Sequence, residues 1–410
     1  MNILVAVEEL RIGGAQTFAL RLAQALHEAG HRVYLYAMYW QYTEHDLVKR
    51  LAPDVELVEY RPAASSMDTL LLRADDWFQR HGYAISLRRR ALVGHLRQVL
   101  WDKHIEVVSS NTFKADALLA EVVKDFPRVP LIVTMHGDYE QFLAFYRQQQ
   151  QYVIPGYLTK LASTIARTNG VAYLSEQNLE AIHLNHTLSG KILLRQIYNG
   201  LEGRVSAEAP KYTRQQLSIP SEALVFGMVA RGVPEKGWEP VIQAYQRLSA
   251  EISRPTNLLL VGASPFLTQL SEKYQGDKSL RFLGFVNNPI DCVGSLDVGI
   301  LASSLKESLP NSIAEYLFCG KAVISTDVGE IRQMIRTDEG HEAGLLIEFP
   351  QEGLADMDLL YQAMHQYATN AVLLAQHQQL ARQAFTKFDM SRCIAAYTQL
   401  YQESINALHQ

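Results

Sequence analysis

The chain has 410 residues, 48% of them hydrophobic and 20% charged, and a formal net charge of −5 at pH 7. That length exceeds one ordinary core and suits two domains of about 200 residues each, with enough apolar content to fill both. The negative balance argues against general nucleic-acid binding. With no run of 18 apolar residues and no charged-then-apolar leader, the chain is expected to be cytoplasmic, neither membrane-spanning nor secreted by a cleaved signal.

Ile3 to Val7 reads as a short buried strand, and Gly13-Gly14-Ala15-Gln16 opens a helix with apolar residues at Phe18, Leu22 and Leu26. Two adjacent glycines let a ligand approach the backbone, and the helix start favours an anion, so Gly13 and Gly14 are candidate contacts to a phosphate or an acceptor. A plain helix start is the alternative. The next strand, Arg32 to Ala37, runs into Met38-Tyr39-Trp40 without an acidic ribose ligand. Since the glycines also lack the Gly-x-Gly-x-x-Gly spacing, NAD is disfavoured.

The segment Arg61 to Tyr83, rich in charge and aromatics and without a period, is expected to shape an acceptor site. A helix follows from Leu87 to Trp101, with Leu92, Leu96, Val99 and Leu100 as its core stripe. Its arginines 88, 89, 90 and 97 form a basic face, either solvated or turned to an anionic membrane carrying a lipid-linked acceptor. The strand Ile105 to Ser109 leads to Asn111, and the strand Leu131 to Met135 delivers His136-Gly137-Asp138 to the carboxyl edge of the same sheet, where α/β proteins bind ligands. Asn111 is the weaker of these candidates. A lone histidine at a strand end, as His136 is, is more often a packed or capping residue than a ligand. Tyr198-Asn199-Gly200-Leu201-Glu202 and the polar stretch from Gly203 to Tyr212, with Pro210, read as a linker.

Beyond it, Val225 to Ala230 is a buried strand ending at Arg231-Gly232-Val233-Pro234-Glu235-Lys236-Gly237, before a helical pattern from Trp238 to Leu248. Arg231 and Lys236 on one strand-to-helix loop can neutralise a diphosphate, arginine by its planar fork and lysine as a point charge. Glu307-Ser308-Leu309-Pro310-Asn311-Ser312-Ile313-Ala314-Glu315 then sets two carboxylates eight positions apart. Pro310 is expected as the first residue of a helix, which places Glu307 in the turn before it and Glu315 inside it. Unpaired N–H groups around Ser308 to Ser312 would hold hydroxyl or phosphate oxygens, and the carboxylates would accept from sugar or ribose hydroxyls. The tail from Asp389 to Leu408 has helical apolar spacing at Ile394, Tyr397, Leu400 and Tyr401. Cys292, Cys319 and Cys393 lack paired spacing and read as buried free thiols, and no metal site is legible.

The ordered series of Arg231 to Gly237, Val261-Gly262-Ala263-Ser264-Pro265, Phe282-Leu283-Gly284-Phe285-Val286, the glutamate pair and Cys319 to Glu330 resembles the donor domain of the retaining glycosyltransferases of family four. The resemblance implies an α/β GT-B fold, two Rossmann-like doubly wound domains facing each other across a cleft. Residues 1–198 would form the acceptor domain and 199–388 the nucleotide-sugar donor domain, with a helix at 389–410 crossing back to the first. It implies that Arg231 and Lys236 hold the diphosphate, that Glu307 with the N–H groups of Ser308 and Leu309 holds the donor sugar, and that Glu315 holds the ribose. Gly262 belongs with the donor loops, the turn from Gly284 to Val286 flanks the base, and His136 contacts the sugar near its reacting carbon. Ser308 stands where the family usually has glycine, and Glu330 where a second glycine often follows Gly329.

The activity so implied moves a hexose-type sugar from a UDP- or GDP-sugar to the hydroxyl of a sugar or lipid-linked acceptor, with retention and with no metal or other cofactor. By analogy the setting is polysaccharide or glycolipid biosynthesis, with peripheral contact at the inner face of the membrane. Three other readings stay open: an epimerase, a phosphorylase, and a protein that binds a nucleotide sugar without transferring it. For the phosphorylase, no lysine stands in a recognisable pyridoxal context.

Overall fold

A computed structural model of the chain describes residues 1–61, 70–71, 73–74, 77, 86–148, 156–183, 192–201, 212–286, 288–305 and 307–409. The acceptor-shaping stretch 61–83 and the linker 203–212 lie largely outside the described residues. The chain divides into two compact units, the first Met1–Gly200 together with Met390–Gln410, the second Leu201–Asp389.

Seven parallel strands form the sheet of the first unit: β1 (Asn2–Val7), β2 (Arg32–Ala37), β3 (Glu56–Glu59), β4 (Val107–Ser110), β5 (Leu131–Met135), β6 (Gly170–Tyr173) and β7 (Leu193–Gln196), in the order β3-β2-β1-β4-β5-β6-β7. Ile3 lies opposite Val33 on one side and Val107 on the other. An all-parallel sheet is covered on both faces, which is why β1 reads as an unbroken apolar run, and Ile3 to Val7 are buried. The helix Gly14–Glu28 buries Phe18, Leu22 and Leu26 on one stripe, as the periodicity predicts. The helix Leu87–Asp102 buries Leu92, Leu96, Val99 and Leu100, and its Ser86 cap accepts from the Arg89 amide at 3.1 Å.

The predicted basic face of that helix is partly paired within the unit. Arg88 is buried over the Tyr39 ring at 4.8 Å and donates to Gln41 at 3.2 Å. Arg89 pairs with Glu121 at 2.8 Å, and Arg97 with Asp125 at 2.6 Å. Three of the four guanidinium groups are thus engaged inside the unit, because neighbouring helices supply acceptors that sequence spacing does not reveal.

The helix Met390–Leu408 belongs to this unit as well. Cys393, Ile394, Tyr397, Leu400 and Tyr401 pack with β1 and Phe18 in one core. Tyr397 and Thr134 share a hydrogen bond of 3.0 Å, and Tyr401 donates to Ser109 at 2.8 Å, so two buried hydroxyls are satisfied while their rings are removed from water. Each such ring contributes roughly 1.5–3 kcal/mol by burial. Where the chain leaves and returns, the Leu201 amide donates to the Phe388 carbonyl at 2.8 Å.

The second unit holds six parallel strands: β8 (Leu224–Val229), β9 (Thr256–Val261), β10 (Leu280–Gly284), β11 (Val298–Leu301), β12 (Ala322–Thr326) and β13 (Gly344–Ile347), ordered β10-β9-β8-β11-β12-β13. Phe226, Met228, Trp238 and Tyr245 are fully buried in its core. In both sheets the first strand sits centrally and the order reverses beside it, the doubly wound Rossmann-like topology that opens a ligand crevice at the strands' carboxyl ends. Among the described residues no helix is long and apolar enough to cross a membrane, and no cluster of His, Cys, Asp and Glu could hold a metal.

Candidate active site

At the carboxyl edge of the second sheet, three loops are fastened to one another. The chain leaving β8 makes a 3-10 turn at Pro234–Lys236, and Gly237 follows with φ of +83°. A Cβ on Gly237 would lie 2.3 Å from the Ala302 carbonyl, so both the left-handed backbone and the close approach require glycine here. Beyond β11, Ser304 donates to the Glu235 carbonyl from its amide at 2.8 Å and from its hydroxyl at 3.1 Å. Thr326, ending β12, donates to the Ser303 carbonyl at 2.8 Å. Gly329, with φ of +58°, lies against the Glu307 carbonyl so closely that a Cβ would come within 1.5 Å of it.

This framework presents the predicted donor groups. The Lys236 ammonium donates to the Glu307 carboxylate, and both side chains are buried, 9% and 12% exposed. Removing either partner of such a pair leaves an uncompensated buried charge, at a cost of about 3–5 kcal/mol. Arg231 is exposed and has no ion-pair partner among the described residues; its carbonyl accepts from the Trp238 indole at 3.0 Å. The amides of Ser308 and Leu309 donate no hydrogen bond among the described residues.

The helix beyond them is Asn311–Phe318, and Pro310 is its cap, extended at φ −68° and ψ 119°, rather than its first residue. The one-residue difference follows from ψ, which must leave the helical range for the loop to carry Glu307 to Lys236. Glu315 lies inside the helix, near enough to Cys292 and Cys319 for its charge to add to the burial that pushes those thiols up to about 12 and about 11. The three cysteines are free, Cys292 and Cys393 buried and Cys319 half-buried. The Gly262 amide donates to the Gly284 carbonyl at 3.0 Å, joining the loops after β9 and β10, and Val286 is buried against Val261 and Cys292.

Tyr316, Ser304 and Thr326 were not among the sequence candidates. Tyr316 is fully buried; its hydroxyl accepts from the Val229 amide at 2.8 Å and donates to the Ile300 carbonyl at 3.1 Å. It thereby ties the glutamate-bearing helix to the ends of β8 and β11. A signal existed in Gly299, a glycine within a strand, where a Cβ would meet the Tyr316 ring at 2.3 Å.

The edge of the first sheet is different. His136 follows β5 with its ring edge-on to Phe18, centroids 5.3 Å apart. The ring is half-buried, but Nε2 is covered and has no hydrogen-bond partner among the described residues. Burial pushes the imidazole down to about 4, so it is neutral at pH 7. Asn111 follows β4 and is fully buried; among the described residues its amide oxygen and nitrogen have no partner, nor has the adjacent Ser110 hydroxyl. Gly13 is the extended cap of the helix Gly14–Glu28, and a Cβ on Gly14 would meet nothing within 4 Å. Lys114 pairs with Glu8 at 2.5 Å beside these groups. The Asp138 side chain lies outside the described residues.

Comparison with known proteins adds identity to this geometry. Residues 12–202 match the family described as Glycosyltransferase Family 4, and residues 211–364 match Glycosyl transferases group 1, so that the two matches take in most of the chain. No curated protein matches it. Similar solved structures include HepE from Anabaena in complex with UDP, at 18% identity and TM-score 0.69 over 98% of this chain and 100% of that one. A glycosyltransferase from Rickettsia africae is 17% identical with a TM-score of 0.72, covering 98% of each chain. Sucrose-phosphate synthase from Thermosynechococcus elongatus is 18% identical with a TM-score of 0.67, covering 99% of each. These likenesses establish the two-domain GT-B fold.

Proposed function

We propose, from the premise that the chain is a family-four-type glycosyltransferase with a GT-B fold, that it transfers a hexose-type sugar from a UDP-sugar to an acceptor hydroxyl with retention of configuration. The observation carrying this reading is the buried Lys236–Glu307 pair beside the unengaged amides of Ser308 and Leu309. A cation, a carboxylate and free N–H groups at one helix start suit a phosphate bonded to a sugar. HepE from Anabaena has been crystallised with UDP and with UDP-glucose, which favours uridine over guanosine as the base to try first.

As the bond from the anomeric carbon to phosphate breaks, negative charge grows on the diphosphate, and Arg231 and Lys236 stabilise it without a metal ion. Glu307 accepts from sugar hydroxyls and Glu315 from the ribose. With Glu307 taken up by sugar hydroxyls rather than serving as a nucleophile, the acceptor oxygen bonds to the anomeric carbon on the face the phosphate leaves. The acceptor proton passes to the departing phosphate oxygen. On the first unit, neutral His136 and unpaired Asn111 serve sugar and acceptor hydroxyls. The acceptor is a sugar or lipid-linked saccharide of polysaccharide or glycolipid assembly, made at the cytoplasmic face.

Incubation with UDP-sugars, alone and with saccharide acceptors, followed by proton NMR, tests the proposal. Transfer with retained anomeric configuration supports it. An inverted product, or a sugar covalently attached to Glu307, contradicts the front-side mechanism. Conversion of the sugar without acceptor would mark an epimerase, and an untouched donor under every acceptor a binding protein.

A further inference from the structure

In the proposed reaction Lys236 and Glu307 serve opposite halves of the donor, the ammonium the diphosphate and the carboxylate the sugar, yet in the structure they hold each other. Neighbouring loops touch the backbone beside both residues. Ser304 fastens the Glu235 carbonyl, one residue from Lys236, and Gly329 is pressed against the Glu307 carbonyl. A change of partner needs only a swing of the two side chains. Resting on the donor reading above, we propose that this pair determines specificity, distinguishing a sugar-bearing donor from the spent nucleotide by partner exchange.

A sugar nucleotide offers both replacements together: phosphate oxygens take the ammonium, and sugar hydroxyls donate to the carboxylate. A bare nucleoside diphosphate offers only the first. It draws Lys236 away and leaves Glu307 buried without a counter-charge, and burial of an unpaired charge is costly. Bare nucleotide is thus held less tightly than its phosphate contacts alone would allow, which favours release of the spent product. Arg231 has no such role. It is exposed and has no ion-pair partner among the described residues, so it strengthens the hold on donor and spent nucleotide alike.

Calorimetric titration of UDP, GDP and ADP into the native protein, Glu307→Gln, Lys236→Met and the double variant tests the exchange. The nucleotide that binds the native protein is expected to bind Glu307→Gln about 10-fold more tightly, the size of one charge-assisted hydrogen bond no longer broken. In the Lys236→Met background the same substitution should give no gain, because no ammonium remains to be released. A gain that persists without Lys236 would mean simple repulsion between carboxylate and diphosphate, and would overturn the exchange; unchanged or weaker binding by Glu307→Gln would overturn it too. Should Lys236→Met alone not fold, Glu307→Gln is compared with the double variant, which buries neither charge. The double variant must then bind about 10-fold more weakly, and equal affinity is the contrary result. If none of the three nucleotides binds either the native protein or Glu307→Gln, the donor reading itself fails, and the exchange with it.

Discussion

The two sheets are wound alike, but the polar groups at their carboxyl edges are treated in opposite ways. On the second unit most of the edge's buried side chains are engaged, Lys236 with Glu307, Ser304 with Glu235, Thr326 with Ser303, and Tyr316 with two strand ends, while exposed Arg231 and the amides of Ser308 and Leu309 have no such partner among the described residues. On the first unit the Asn111 amide, the Ser110 hydroxyl and His136 Nε2 are buried and have no partner among the described residues. A buried polar group without a partner costs about 1–3 kcal/mol, which makes these three groups candidates to meet a ligand's hydroxyls. The engaged edge suits a charged ligand whose binding must be fixed in geometry. The unpaired, largely neutral edge suits hydroxyls.

The largest effect that could break this contrast is expected on the engaged edge. Arg231→Ala should lower kcat roughly 10²- to 10³-fold, as loss of a preorganised electrostatic donor does, and steady-state kinetics would register it. An effect below about 10-fold would remove Arg231 from the site. Next, Gly329→Ala should cost about 2 kcal/mol or more of stability in chemical denaturation, since the new methyl meets the Glu307 carbonyl in a left-handed backbone. An unchanged midpoint would show that the Glu307 loop yields freely.

The unpaired edge should answer differently. Asn111→Ala deletes a buried amide that no partner satisfies, so thermal stability should hold or rise while activity falls about 10-fold. Lost stability with intact activity would mean that the amide serves the fold. A further effect concerns pH. His136 has a folded value of about 4 against an ordinary 6.5, so the unfolded chain takes up its proton first as pH falls. The contribution is present in full above about 6.5 and is lost as pH drops toward 4. Urea unfolding across that window should show less slope in His136→Gln than in the native protein.

Much of the fold was legible in the sequence because buried parallel strands announce themselves as apolar runs. Ile3 to Val7, Leu131 to Met135 and Val225 to Val229 are strands where the hydrophobic pattern places them. What pattern could not show was pairing across distant segments. Lys236 and Glu307 are 71 positions apart, and nothing in either loop announces that they neutralise each other. The engagement of Arg88, Arg89 and Arg97 was hidden for the same reason, since their partners lie on other elements. Tyr316 was hidden otherwise: its ring belongs to the apolar stripe of its helix, and only its hydroxyl does the fastening.

Isothermal calorimetry of UDP, GDP and ADP, each with and without chelator, into the native protein and Arg231→Ala would decide whether the second unit holds a nucleoside diphosphate by its cations alone. One nucleotide, UDP first among them, is expected to bind with the same affinity in chelator and markedly less tightly to the variant. Binding that chelator abolishes, binding that Arg231→Ala leaves unchanged, or no binding by any of the three would contradict it.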